Sequence, residues 1–280
     1  MRLGLAGLAL VAVATTSLTS MATMASVPAP AAAAGTVNME AVVLAAQLDP
    51  RKPNEDPTQG AAASVLLVEQ ALQAKSLLDA TYVDGHFGTK TIDAYAAWQR
   101  SLGFSGLDAS GLPGRTSLEA LGQGRFTVIN ELTPGARVTF RGVTVNERTR
   151  AMLKTVEALL GRQLALEQGS YNPGGDPTSA GTHDGGGVVD VSVSGMTATT
   201  QTTVVRRLRQ VGFAAWRRTP SQGDWDYHIH AVAVSDTDMS PQAQHQVGDY
   251  YLGQNGLANR GPDDGPQVTK VTWEEYQRTH

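Results

Sequence analysis

The sequence predicts an α+β protein, with a small three-helix domain followed by a domain of helices and strands built on a mainly antiparallel sheet. Two patterns carry this prediction. Between Ala61 and Leu121, apolar residues recur at helical spacing, and two glycine-containing turns separate three short helices. Later segments, such as 225–234, alternate polar and apolar side chains as strands do. Periodicity therefore predicts helices in the first half and a mixture of strands and helices in the second.

The first 34 residues have the pattern of a secretory signal peptide. Arg2 precedes a short apolar run, which an Ala- and Pro-rich stretch follows. The alternative is a membrane anchor, which the shortness of the apolar run disfavours. Cleavage after Ala25 and cleavage within 31–34 fit equally well. Residues 35–60 combine a small apolar patch with a charged, proline-containing segment, and we predict a linker there.

The composition excludes several classes of protein. The 280 residues carry a formal net charge of -4, whereas a nucleic-acid-binding protein needs a basic surface. The chain contains no cysteine, which excludes disulfides and thiolate metal sites. Any metal centre must therefore use imidazole and carboxylate ligands.

The region 125–255 is predicted to mix strands with helices. Loose alternation from Phe126 to Val145 indicates short strands, and Asn146 can cap a helix over 147–160 that Gly161 ends. Further elements are expected in chain order: strands over 164–168 and 188–193, a helix over 202–211, and strands over 214–218 and 225–234. The remaining residues, 256–280, are predicted to form a polar tail.

Four side chains of this second domain have the chemistry of a metal centre. His183 precedes a glycine run, and Asp190 lies in a valine-rich strand, where a lone carboxylate is costly unless a cation or several donors meet it. His228 and His230 are two residues apart on a strand, so both rings point to one face. A single zinc ion would explain all four. The alternative is that the His-x-His pair is structural.

Three motifs occur in order within the helical stretch. They are a Val-Asp-Gly-x-Phe-Gly turn at 83–88, a Trp-Gln-Arg run at 98–100 and a Leu-Asp…Gly-Leu-Pro-Gly-x-Thr turn at 107–116. Together they resemble the small three-helix peptidoglycan-binding domain of bacterial wall hydrolases. The resemblance implies that a domain over 61–124 holds glycan or stem peptide and has no chemistry of its own.

The second domain carries His183, six residues and Asp190, and later the His-x-His motif of His228 and His230. These motifs resemble those of the zinc D-alanyl-D-alanine carboxypeptidases of bacterial walls and the related phage-type L-alanyl-D-glutamate endopeptidases. The resemblance covers about 140–235. It implies that His183, Asp190 and His230 bind Zn²⁺, and that His228 orients substrate or relays a proton.

The sequence departs from these families at the position of the general base. The families place a carboxylate three residues before the last ligand, and this chain has Tyr227 there. Three groups compete for the role, with His228 preferred by proximity, then Asp226, which by strand parity shares its face, then Asp224. Gly181 also replaces the families' serine.

A second departure concerns substrate binding. The families hold the substrate carboxylate with an arginine before the first histidine, and residues 166–171 contain none. Gln168, Ser170 and Tyr171 are predicted to bind the peptide by hydrogen bonds instead. The missing arginine weakens the exo-carboxypeptidase interpretation and leaves endopeptidase action or lost activity open.

The function that follows is zinc-dependent hydrolysis of peptide bonds in peptidoglycan stem peptides by a secreted, wall-associated enzyme. We expect a monomer that binds glycan and stem peptide and makes no stable membrane insertion once the signal is removed. The alternative is a non-catalytic peptidoglycan-binding protein whose metallopeptidase domain has lost turnover.

Overall fold

A computed structural model describes residues 35–280; the predicted signal peptide lies outside them. The N-terminal part is mainly helical. Its elements are β1 (Thr36–Asn38), α1 (Met39–Leu48), α2 (Ala62–Ala74), α3 (Thr89–Ser101), α4 (Arg115–Gly122) and β2 (Thr127–Ile129). Strand β2 pairs in parallel with β1. Helices α2, α3 and α4 lie where the periodicity predicted three helices.

The C-terminal part is built on an antiparallel sheet. Strands β3 (Arg137–Phe140) and β4 (Val143–Asn146) form a hairpin that leads into α5 (Glu147–Leu160). The main sheet contains β5 (Leu166–Gln168), β6 (Val188–Ser192), β7 (Phe213–Arg218) and β8 (His228–Ala233), in the order β5-β6-β8-β7. The other helices are α6 (Ala198–Val211), α7 (Pro241–Tyr251) and α8 (Trp273–Thr279). The α+β class and the antiparallel sheet are confirmed.

Helix boundaries follow local capping chemistry. Asn146 accepts a hydrogen bond from the Thr149 backbone N–H at 2.8 Å, and Gly161 ends α5 in the left-handed conformation, as the sequence predicted. Helix α6 begins earlier than predicted because Thr197 caps it, and the threonines that follow mask its start in the sequence.

The segment 35–60 is not a linker, and that prediction was wrong. Most of it is ordered as β1, α1 and a 3₁₀ turn, and Met39, Val42 and Val43 are fully buried. Helix α1 packs between α2 and α7, which explains why its sequence is apolar almost all round. A short apolar patch with no polar face is typical of a buried helix.

The two predicted domains share one core. Val65 and Leu118 of the helical part belong to the same buried cluster as Val188, Val232 and Val247 of the sheet and α7. A second cluster lies between the other face of the sheet and helices α5 and α6. The boundary predicted between residues 124 and 125 therefore does not separate two independent cores.

The predicted polar tail is an integral part of the fold. Asp263 forms a buried ion pair with Arg209 at 2.7 Å, and Trp273 of α8 is buried. Arg148 binds Glu274 through two hydrogen bonds of 2.8 and 2.9 Å. Within residues 35–280, no helix combines the length and apolarity that crossing a bilayer requires.

Candidate metal centre

The register of the main sheet brings the site together. Asp190 of β6 pairs with Gln168 of β5 and with His230 of β8, which pairs in turn with Trp216 of β7. Side chains directly opposite on neighbouring strands share a face. The adjacent row is Ser192, His228 and Arg218. One face of the sheet thus gathers two histidines, a carboxylate and an arginine.

His183 reaches this face from a loop rather than a strand. It lies in a short 3₁₀ turn that is followed by Gly185, Gly186 and Gly187. Gly187 has φ of +81°, which a side chain would strain, and the Gly186 N–H donates to the Asp238 carbonyl at 2.8 Å. The glycine run therefore folds the chain back so that His183 meets Asp190, as predicted.

His183, Asp190 and His230 form a buried group with one ligand atom of each within 4.8 Å of the others. His183 Nε2 lies 3.2 Å from Asp190 Oδ2, and His230 Nδ1 lies 2.8 Å from Asp190 Oδ1. Neighbouring ligand atoms of a tetrahedral zinc site are about 3.3 Å apart, given bonds of about 2.0–2.1 Å. The three predicted ligands are brought together, and the group could bind a metal ion.

Both imidazoles are oriented by hydrogen bonds on their far nitrogens. His183 Nδ1 donates to the Gly169 carbonyl at 2.8 Å, and His230 Nε2 donates to Gln246 Oε1 at 2.8 Å. Gln246 is itself held because its amide nitrogen donates to the Gly256 carbonyl at 3.1 Å. In each neutral ring the remaining nitrogen then presents a lone pair to the Asp190 carboxylate. At 2.8 and 3.2 Å from the carboxylate, these nitrogens are stabilised by a positive charge between them and Asp190, which either an additional ring proton or a metal ion supplies.

The electrostatics of the group suit a cation. Burial alone would raise the pKa of the Asp190 carboxyl, but hydrogen bonds and positive charge from the His183 and His230 rings in their protonated form hold that pKa well below its usual range, as a metal cation at the same place would. Burial lowers the pKa of His230 against the opposing effect of the Asp190 carboxylate, and so favours the neutral ring. An ionised carboxylate and a neutral imidazole are the forms that bind metal.

No protein-family model, curated protein or solved structure matches this chain. We therefore infer its function from the chemistry of its site.

The site opens into a groove of about 1200 Å³, bordered by β5, β7, β8, α7 and the loops at 172–184, 222–226 and 256–260.

The three candidate general bases differ in their distance from the metal group and in their exposure to solvent. His228 Nδ1 donates to the Asp226 backbone carbonyl at 2.8 Å, and its Nε2 lies 3.7 Å from Asp190 Oδ1. Strand β8 begins only at His228, so strand parity does not place Asp226 or Asp224. Both aspartates are exposed on the groove wall, and Tyr227 is 57 % exposed. His228 is the candidate in direct contact with the metal group.

Of the three predicted substrate-binding residues, only Gln168 lines the groove. Ser170 is buried, and its hydroxyl donates to the Val188 carbonyl at 2.8 Å and accepts from the Val188 N–H at 3.0 Å. The Tyr171 hydroxyl donates to Asp238 at 2.7 Å. Both side chains are engaged in hydrogen bonds within the loops around the site, and their role as peptide-binding groups stays a prediction.

Sequence reasoning missed Gln246 and Arg218. Gln246 lies on α7, far along the chain from the His-x-His motif, and nothing in the local sequence links it to His230. Arg218 could have been found, since a strand over 214–218 paired with the next strand places it beside the histidines. That inference requires the register in which β7 pairs with β8, and the sequence of the turn between these two strands does not specify it.

Proposed function

We propose that the protein hydrolyses peptide bonds in peptidoglycan stem peptides with the help of zinc, as a D,D-carboxypeptidase or an endopeptidase. One observation carries the proposal. His183, Asp190 and His230 converge in an open groove, with one ligand atom of each within 4.8 Å of the others and His228 beside them. A structural metal site would be closed by a fourth protein ligand and have no adjacent groove.

The donor set of two imidazoles and one carboxylate is typical of catalytic zinc. A zinc ion bound there would supply Lewis-acid polarisation of a carbonyl group and an acidified water. His228 would handle the proton, because its Nδ1–H is held by the Asp226 carbonyl and its Nε2 is left free toward the metal group. Asp226 and Asp224, on the groove wall, are the reserve candidates.

The groove suits an extended peptide rather than a compact metabolite. It is open, and its lining mixes hydrogen-bonding groups such as Gln168, Asn172 and Gln242 with charged ones. The helical part is proposed to hold the polymer, on the strength of the turn and Trp-Gln-Arg motifs in α2–α4. Secretion, association with the cell wall and a monomeric state belong to the same proposal.

The alternative is a non-catalytic wall-binding protein that keeps the metal. Tyr227 favours it, because the residue stands at the position of the expected carboxylate and points into solvent. Retained binding to sacculi without any hydrolysis would support this alternative.

The test is mass spectrometry of muropeptides after incubation with the zinc-loaded mature protein. We expect products shortened by cleavage of a stem-peptide bond, their loss on chelation and their return with zinc. Asp190→Asn should abolish both tight zinc binding and cleavage. Asp184→Asn, a loop carboxylate six residues earlier that is outside the metal group, is the matched control and should retain both. Absence of cleavage of every muropeptide by the zinc-loaded protein would reject the enzymatic proposal.

A further inference from the structure

Three buried hydrogen-bond donors around the groove have no acceptor among residues 35–280. They are Gln168 Nε2, Arg218 Nη2 and Trp225 Nε1, and all three residues line the groove. A buried donor without a partner costs about 1–3 kcal/mol, so natural proteins rarely leave several in one place. Because all three groups without a hydrogen-bond partner are donors, a ligand that satisfies them is rich in acceptor oxygens.

Arg218 is the strongest of these donors and is held in place. Only 4 % of the residue is exposed, its Nη1 donates to the Asn255 carbonyl at 2.8 Å, and its guanidinium carbon lies 5.0 Å from the centre of the Trp216 ring. In the sheet it is directly opposite His228. Nη2 is therefore the free end of a fixed guanidinium group next to the metal site.

Within the described residues no carboxylate lies close enough to Arg218 to form an ion pair, although the charges of Asp190, Asp264 and Asp263 act on it from further away. Asp263 is bound to Arg209 at 2.7 Å, and Asp190 contacts the histidines of the metal group. Burial lowers the pKa of Arg218 to about 10, although the field of Asp190 opposes this shift, so the group remains cationic at neutral pH. A buried, unpaired cation is unfavourable unless an anion joins it.

We propose that Arg218 anchors a carboxylate of the bound peptide, with the amide of Gln168 and the indole N–H of Trp225 donating to further peptide oxygens. The inference rests on the proposed function, because it assigns this anion to the peptide that is cleaved. A planar monoanion fits better than phosphate, because Asp176, Asp224 and Asp226 also line the groove and repel a dianion, whereas the other lining arginines, Arg51 and Arg260, are paired with Asp249.

The test is calorimetric titration of the metal-free protein with N-acetyl-D-alanyl-D-alanine and with its C-terminal amide. Metal-free protein is used so that the carboxylate cannot bind the metal instead. We expect the acid to bind roughly 10- to 100-fold more tightly than the amide. Arg218→Gln should reduce acid binding to the level of the amide. Arg217→Gln, on the exposed opposite face of β7, is the matched control and should retain the difference.

Equal affinities of acid and amide for the native protein would overturn the proposal, whether or not the Arg218 variant folds. Tighter competition by inorganic phosphate than by the acid would also overturn it. The result can be separated from the function itself. A preference for the acid without muropeptide cleavage would reject the hydrolase and keep the anion site, whereas cleavage without that preference would reject the anion site alone.

Discussion

At the residue scale, the candidate metal centre depends on atoms outside the three side chains that could bind the metal. The Gly169 carbonyl and the Gln246 amide each take a ring N–H, and so decide which nitrogen of His183 and His230 faces Asp190. A histidine whose far nitrogen has no partner rotates and divides its proton between two tautomers. Such outer contacts typically change metal affinity by about 10- to 100-fold when removed.

Gln246→Ala should therefore weaken zinc binding by roughly 10-fold or more, because His230 loses the acceptor that holds its Nε2–H. Gln246→Glu keeps an acceptor oxygen at this position and should bind zinc close to the native affinity. Competition with a chromophoric chelator measures both constants. Gln242→Ala, an exposed residue on the same helix, is the control. Equal zinc affinity in all three variants would show that Gln246 does not orient the ring.

At the scale of single elements, the turn between α2 and α3 is built around a buried carboxylate. Glu69 accepts hydrogen bonds from the backbone N–H groups of Gly85 and Asp84 at 2.7 and 3.0 Å, and from the Thr91 hydroxyl at 2.9 Å. These contacts tie the Val-Asp-Gly-x-Phe-Gly turn to the preceding helix. Burial nevertheless raises the pKa of Glu69 to about 7.

Stability should depend on pH through Glu69. Between the ordinary pKa of 4.5 and the folded value of about 7, the folded state binds more protons than the unfolded state, so the free energy of unfolding falls as pH rises. The contribution is on the order of 1–2 kcal/mol after allowance for solvent screening. Urea titrations from pH 4 to 8 should show this slope in the native protein and lose it in Glu69→Gln. The exposed Glu55→Gln control should keep it; the same slope in both variants would contradict the assignment.

At the scale of the whole molecule, α1 joins the helical part to the sheet. It packs on α2 and on α7, which also carries Gln246 and borders the groove. Met39 at its start is fully buried, and its sulfur accepts a hydrogen bond from the Leu132 N–H at 3.3 Å. The helices and the face of the sheet that carries the candidate metal group are thus supported by one core.

Met39→Ala should lower the free energy of unfolding by about 2–5 kcal/mol, as expected for a truncation in a closed core. Leu159→Ala, at a helix position that is 39 % exposed, should cost less than about 1 kcal/mol. Chemical denaturation measures both. A negligible effect of Met39→Ala on the free energy of unfolding would show that α1 does not stabilise the core, as expected if residues 35–60 were a linker.

Much of the fold could be predicted because its signals are local. The cap at Asn146, the stop at Gly161 and the periodicity of α2–α5 act within a few residues of the chain. The burial of α1 could not be predicted, because a ten-residue apolar helix is recognisable only against the surfaces that enclose it. Strand parity failed at Asp226 because β8 begins two residues later, and a strand's end is set by its partners.

The sequence by itself determined the α+β class and indicated His183, Asp190 and His230 as a group that could bind a metal ion, since residue type and spacing are properties of the chain. Only the tertiary structure decided how those side chains are oriented and that Arg218 forms no ion pair among residues 35–280. The physical reason is that hydrogen-bond partners such as Gln246 and Asn255 come from distant segments. Their arrival depends on strand register and core packing, which no local stretch encodes.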